Sequence, residues 1–185
     1  METAKFAEEI VKELHLSVAQ IVEEEAERLA DLLLRSGKIF VAGAGRSGLM
    51  GRAFAMRVMH AGMEAYVVGE TITPGIGGGD VLVIGSGSGE TRSLAEMARK
   101  AKSVGASVAA VTTAPESTIG GLADITVKLP GTPKDKAGGA YATIQPMGSL
   151  FEQTLLVFYD AVILRMMDKR GLDSGRMYGR HANLE

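Results

Sequence analysis

Apolar positions follow two different periods along the chain. Between residues 3 and 36, Phe6, Ile10, Leu14, Val18 and Ile21 recur at spacings of three or four, and Leu29, Leu32 and Leu33 continue the pattern in "EEEAERLADLLLRS". That period predicts helix, with Gly37 placed where a glycine C-terminal cap would close it. From Lys38 onward the pattern changes. "KIFVAG", "EAYVVG", "DVLVIGS", "ASVAAVT" and "DITVKLP" are short runs rich in Val and Ile, separated by helical stretches such as "RSGLMGRAFAMRVMHAG", "ETRSLAEMARKAKSVG" and a shorter one near 116–122. Five such runs predict an α/β fold: an open five-stranded parallel sheet sandwiched by helices, doubly wound in the flavodoxin-like manner.

The segment 131–146, "GTPKDKAGGAYATIQP", has no period and is long for a connection, which predicts a functional loop. A final helix over about 147–169 is apolar almost all round, so it is buried on more than one side and suits a subunit interface. The tail, about 170–185, carries no clear element. Residues 1–185 read as one domain with a helical N-terminal extension over about 3–36.

Composition narrows the classes of function. Charged residues make up 23% and the formal net charge is −2, with no basic stripe to neutralise a nucleic-acid backbone, so no nucleic-acid partner is expected. The absence of cysteine excludes disulfides, thiol nucleophiles and thiolate metal sites. "METAKFAEEIVKEL" is acidic and amphipathic, the reverse of a signal peptide. The run 155–167 is broken by Asp160 and Arg165 and falls short of a membrane span. A cytoplasmic protein without a membrane partner is expected.

The 24 glycines cluster at 43–51, 75–79 and 85–89, and two of these clusters are strand-to-helix turns. Ligands of open parallel sheets gather at such turns, where free N–H groups and the helix dipole favour an anion. In "GSGSGET", Gly87 and Gly89 let the backbone curl round a phosphate while Ser86, Ser88 and Thr91 add hydroxyls. Ser88 acting as a simple helix cap is the structural alternative. Glu90 is a first-turn glutamate that the dipole favours. In "GAGRSG", Gly43, Gly45 and Gly48 match G-x-G-x-x-G, and Glu64 lies where a dinucleotide ribose ligand would. The bulky Arg46 argues against a dinucleotide, and Arg46 with Ser47 suits sugar hydroxyls or phosphate oxygens.

These loops, with the long last helix, resemble the sugar isomerase (SIS) domain family, and most closely its hexulose-phosphate isomerase branch. "AGAGRSGLM", "AMRVMHAG", "VIGSGSGET", "IQPMGSLFEQTLL", "YDAVI" and "HANLE" carry the likeness across essentially the whole chain. The resemblance implies a five-stranded parallel sheet, a homotetramer with active sites shared between subunits, and no metal or organic cofactor. It also implies interconversion of D-arabino-hex-3-ulose 6-phosphate and fructose 6-phosphate, as in the ribulose monophosphate route of formaldehyde assimilation or in pentose supply. The substrate-binding set is then Arg46, Ser47, Ser86, Gly87, Ser88, Gly89, Glu90 and Thr91.

Moving a carbonyl from C3 to C2 through an enediol needs a base that takes a proton from one carbon and returns it to the next. The residues leave Glu152 open between this role and the return arm of a capping box in "SLFE", Ser149 to Glu152; the resemblance assigns it the base. His181, in the closing "HANLE", is the second catalytic candidate, since relatives bring a histidine to a neighbouring subunit's site. His15 and His60 read as structural, and no two histidines share metal-ligand spacing. Lys134 and Lys136 read as solvated residues of the loop. Two other functions stay open: a phosphosugar-binding regulator, although no helix-turn-helix or basic region precedes residue 37, and a dinucleotide-dependent oxidoreductase.

Overall fold

The computed structural model describes residues 2–131 and 143–184. Lys134 and Lys136, and most of the predicted loop, lie outside the described residues. Helices α1 (Thr3–Val18) and α2 (Glu23–Arg35) precede the sheet. Then come β1 (Lys38–Gly43), α3 (Gly45–His60), β2 (Glu64–Val67), β3 (Val81–Gly85), α4 (Arg92–Ser103), β4 (Ser107–Thr112), α5 (Thr118–Leu122) and β5 (Ile125–Lys128). The chain closes with α6 (Ser149–Arg170) and α7 (Ser174–Tyr178). The predicted parallel sheet is present, and the tail contributes one short helix that its sequence did not announce.

The five parallel strands run in the order β2-β1-β3-β4-β5. Side chains alternate across the sheet. Ile39, Val41, Val81, Val83, Ala109 and Val111 pack on one face with Leu29 and Leu33 of α2, Phe54 and Val58 of α3, and Leu155 and Phe158 of α6. Phe40, Ala42, Leu82, Ile84, Val108 and Ala110 pack on the other with Leu94, Ala98 and Ala101 of α4 and Ile119 of α5. Burial on both sides explains why the strands read as continuous apolar runs rather than alternating ones.

From β1 the chain goes outward to β2 and returns on the other side of β1 as β3, so strand order reverses between β1 and β3. The turns that follow these two strands diverge there and leave a crevice. Gly43 and Gly85 stand level in register, which brings both glycine-rich turns to the same end of the sheet.

Gly37 does not cap α2 as predicted. The helix ends with Ser36 in extended backbone, and the Gly37 N–H donates to the Gly79 carbonyl at 2.9 Å. The left-handed glycine cap belongs to Gly171, after α6.

Candidate active site

A cavity of about 510 Å³ fills the crevice, lined by Ala44, Gly45, Ser47, Gly85 to Ser88, Glu90, Thr91, Leu94, Gly148, Phe151 and Glu152. It gathers the turn after β1, the turn after β3 and the first turn of α6. Among the described residues of that lining, Glu90 and Glu152 are the charged ones.

The turn after β3 is braced from behind. The Gly87 carbonyl accepts from the hydroxyls of Thr112 and Thr113 at 3.1 and 2.8 Å and from the Thr113 N–H at 3.1 Å. The Gly89 carbonyl accepts from the Ile119 N–H at 3.0 Å. Gly89 has φ +64°, and a Cβ there would collide with the Ser117 hydroxyl, so the position demands glycine. Ser86 Oγ accepts from the Gly89 N–H and Ser88 Oγ from the Glu90 N–H, each at 3.2 Å. Helix α4 starts only at Arg92, and its N-cap Thr91 makes no side-chain cap bond. Ser88 therefore does not cap α4. Ser86, Ser88 and Thr91 line the cavity instead. The Glu90 carboxylate accepts from both the N–H and the hydroxyl of Thr118, at 2.7 Å each. These bonds hold it below the usual glutamate range and engage it with α5.

The turn after β1 packs tightly. A Cβ on Gly43 would lie 2.8 Å from Gly48 Cα, so the two outer glycines of "GAGRSG" let β1 and α3 approach each other. Glu64 is paired in register with Lys38, at the start of β1. That is the opposite end of the strand from Gly43, roughly 16 Å away at about 3.3 Å per residue. The acidic residue of a dinucleotide site belongs at the carboxyl ends of the strands, so the spacing that suggested one is coincidental. Ser47, in the first turn of α3, lines the cavity and is buried.

Glu152 resolves the capping question. The N-cap of α6 is Gly148 and makes no side-chain cap bond. Met147, at φ +57°, turns the chain into it. Ser149 is thus a helical residue, and its Oγ accepts from Arg46 Nη1 at 2.9 Å. The same nitrogen donates to Glu152 Oε2 at 2.8 Å. The Glu152 side chain is only 3% exposed, against 50% for Arg46. The approach to α6 is tied to α1 by Glu13, which accepts from Thr143 Oγ1, the Ile144 N–H and Gln145 Nε2. Burial raises the Glu13 pKa, but the bonds from Gln145, Ile144 and Thr143 outweigh it and leave the group below its ordinary value.

His181 stands elsewhere in the chain. It stacks on His60 at a centroid distance of 5.4 Å and lines a second cavity with Arg57, Asp160 and Tyr178. The structure therefore brings Ser47, the 86–91 turn and Glu152 together, sets Arg46 against Glu152, and leaves His181 outside this lining. Phe151 and the braces Thr112, Thr113, Ser117 and Thr118 are not singled out by the sequence, and Ser149 is singled out there only as a helix cap. The hydroxyl-rich run "TTAPEST" after β4 was the signal available for the braces.

The arrangement is a serine-rich turn facing a buried carboxylate across one cavity, on a doubly wound sheet. Residues 32–157 match the SIS domain family, and the chain belongs to that family. It is 60% identical to the 3-hexulose-6-phosphate isomerase of Bacillus subtilis over 185 residues, the full length of both chains. It is 43% identical to the 3-hexulose-6-phosphate isomerase of Mycobacterium gastri, over 91% of this chain and 84% of that one. Among solved structures, a protein from Methanococcus jannaschii, whose structure was described as inferring a 3-hexulose-6-phosphate isomerase function, superimposes with a TM-score of 0.84. That match covers 97% of this chain and 98% of the other at 34% identity.

Proposed function

We propose that the protein is a ketose isomerase interconverting D-arabino-hex-3-ulose 6-phosphate and fructose 6-phosphate, the reaction that feeds fixed formaldehyde into hexose phosphate in the ribulose monophosphate route. The full-length likeness to named hexulose phosphate isomerases supports the reaction. One structural observation carries the assignment of residues: the hydroxyl-lined turn and the buried Glu152 open onto a single cavity. The phosphate sits among Ser86, Gly87, Ser88, Gly89 and Thr91, at the N-terminus of α4, where free backbone N–H groups meet the dianion. Ser47 donates to a sugar oxygen.

Glu152 takes the proton from C2 of the 3-keto sugar and returns it to C3 of the enediol, which leaves the carbonyl at C2. The hydroxyl proton moves in the same direction, from the oxygen on C2 to the oxygen on C3. This chemistry calls for no metal or organic cofactor. His181 assists at an oxygen of a neighbouring subunit's site, in a cytoplasmic homotetramer. The apolar side chains of Leu49, Met56 and Met59 on α3 and of Val157 and Leu164 on α6 are exposed, which supports burial between subunits.

Purified protein mixed with D-arabino-hex-3-ulose 6-phosphate tests the reading. Fructose 6-phosphate should form without added metal or nucleotide. A protein that binds the sugar phosphate tightly but leaves it unchanged is a sensor, and the proposal fails.

A further inference from the structure

Arg46 was expected to meet the substrate through sugar hydroxyls or phosphate oxygens. The structure gives its guanidinium other work. Nη1 reaches across from the first turn of α3 to the first turn of α6 and is held between Ser149 Oγ and Glu152 Oε2. Arg46 is not part of the cavity lining, although its neighbours Gly45 and Ser47 are. Among the described residues of that lining there is no lysine, arginine or histidine.

A carboxylate that is almost wholly buried needs a charged partner, because burial strips away the water that would otherwise stabilise it. The guanidinium fork meets the carboxylate through one charge-assisted bond, Nη1 to Oε2 at 2.8 Å, and that bond restrains the direction of the carboxylate. Ser149 restrains the fork in turn: it sits three residues before Glu152, one helical turn away, and accepts from the same nitrogen.

We propose that Arg46 is a positioning residue for Glu152, not a ligand of the phosphate. Anchored by Ser149, its guanidinium balances the buried charge and fixes the direction in which the carboxylate faces the reacting carbons. The inference rests on Glu152 being the base. It adds that the Ser149–Arg46 pair acts through Glu152 and contributes to turnover rather than to affinity.

The test compares Arg46→Met, Arg46→Lys and wild type by steady-state kinetics, by calorimetric binding of fructose 6-phosphate, and by crystal structures without ligand. A thermal melt confirms that each variant is folded. In Arg46→Met, kcat should fall by about thirtyfold or more while the Kd for fructose 6-phosphate stays within about threefold. Arg46→Lys should recover part of kcat. The Glu152 side chain should leave its wild-type rotamer in Arg46→Met while the 86–91 backbone stays in place. An unchanged Glu152 rotamer, or a Kd weakened tenfold with kcat preserved, overturns the proposal. Wild-type protein without isomerase activity would refute the proposed reaction instead, and the crystal structures would still decide whether Arg46 orients Glu152.

Discussion

Glu90 and Thr118 are joined twice: the Thr118 N–H donates to one carboxylate oxygen and the Thr118 hydroxyl to the other, each at 2.7 Å. The pair fastens the turn after β3 to the start of α5, so a glutamate that would repel a phosphate is tied to the protein instead. Replacing it should loosen the turn. Glu90→Gln is expected to weaken fructose 6-phosphate binding by about tenfold, as the loss of a charge-assisted bond would, with kcat at saturation largely kept. Calorimetry and steady-state kinetics read the two separately. A lower kcat with unchanged Kd would mean that Glu90 takes part in the chemistry.

The same pair carries a pH signature. Its bonds to Thr118 hold Glu90 below the ordinary glutamate value. The stability it contributes is present above the unfolded-state pKa and is lost as pH falls through the lower folded-state value. Denaturant melts of wild type and Glu90→Gln should converge in that acid window and differ above it. A constant difference across the window would contradict the linkage.

His60 makes an opposite kind of demand. Burial first, then the neighbouring Arg57 and His181, hold it below the ordinary histidine value. Arg57 Nη1 lies 3.3 Å from its Nδ1 and Arg180 Nη1 lies 3.5 Å from its carbonyl, while Asp160 shares the adjoining cavity. The unfolded chain therefore binds a proton first as pH drops. Stability should decline from about pH 6.5 down to the folded-state pKa and level off below it. The tail stacked on His60 should become more open to proteolysis over the same range. Limited proteolysis of wild type and His60→Phe checks this: the variant should lose the pH dependence, and an identical profile for both would contradict it.

Tyr159 is fully buried, stacked on Phe54 at 4.3 Å, and its hydroxyl has no hydrogen-bond partner among the described residues. Burial alone pushes its pKa above the ordinary tyrosine value. An unsatisfied buried hydroxyl costs about 1–3 kcal/mol, so Tyr159→Phe should be as stable as wild type or more stable, by up to about 2 kcal/mol. Equilibrium denaturation measures it. A loss above about 1 kcal/mol would show that the hydroxyl is satisfied in solution.

The sheet was legible because both of its faces are covered, which turns each strand into a short apolar run bounded by glycines. The serine-rich turn that lines the cavity was legible because it is local: every residue of 86–91 is in one stretch. What failed was non-local. Arg46 and Glu152 are 106 positions apart, and neither turn contains a sign that one closes on the other. Ser149 and Glu152 have the spacing of a capping box whether or not they form one, and only the backbone of Met147 and Gly148 decides it. Gly37 was misread because a glycine after a helix has the same letter whether it caps or bonds to a neighbouring turn. Glu64 has a ribose ligand's spacing but stands at the wrong end of β2, a matter of register that no single segment encodes.

The most direct trial of Glu152 as the base is solvent exchange. Fructose 6-phosphate would be incubated in deuterated water with wild type or Glu152→Gln and followed by proton NMR. Deuterium should enter C3, and not C1, with wild type, and at least a hundredfold more slowly with the variant, while calorimetry shows the sugar phosphate bound by both. Exchange at C3 that is equally fast in Glu152→Gln, or absent from wild type altogether, would contradict the account.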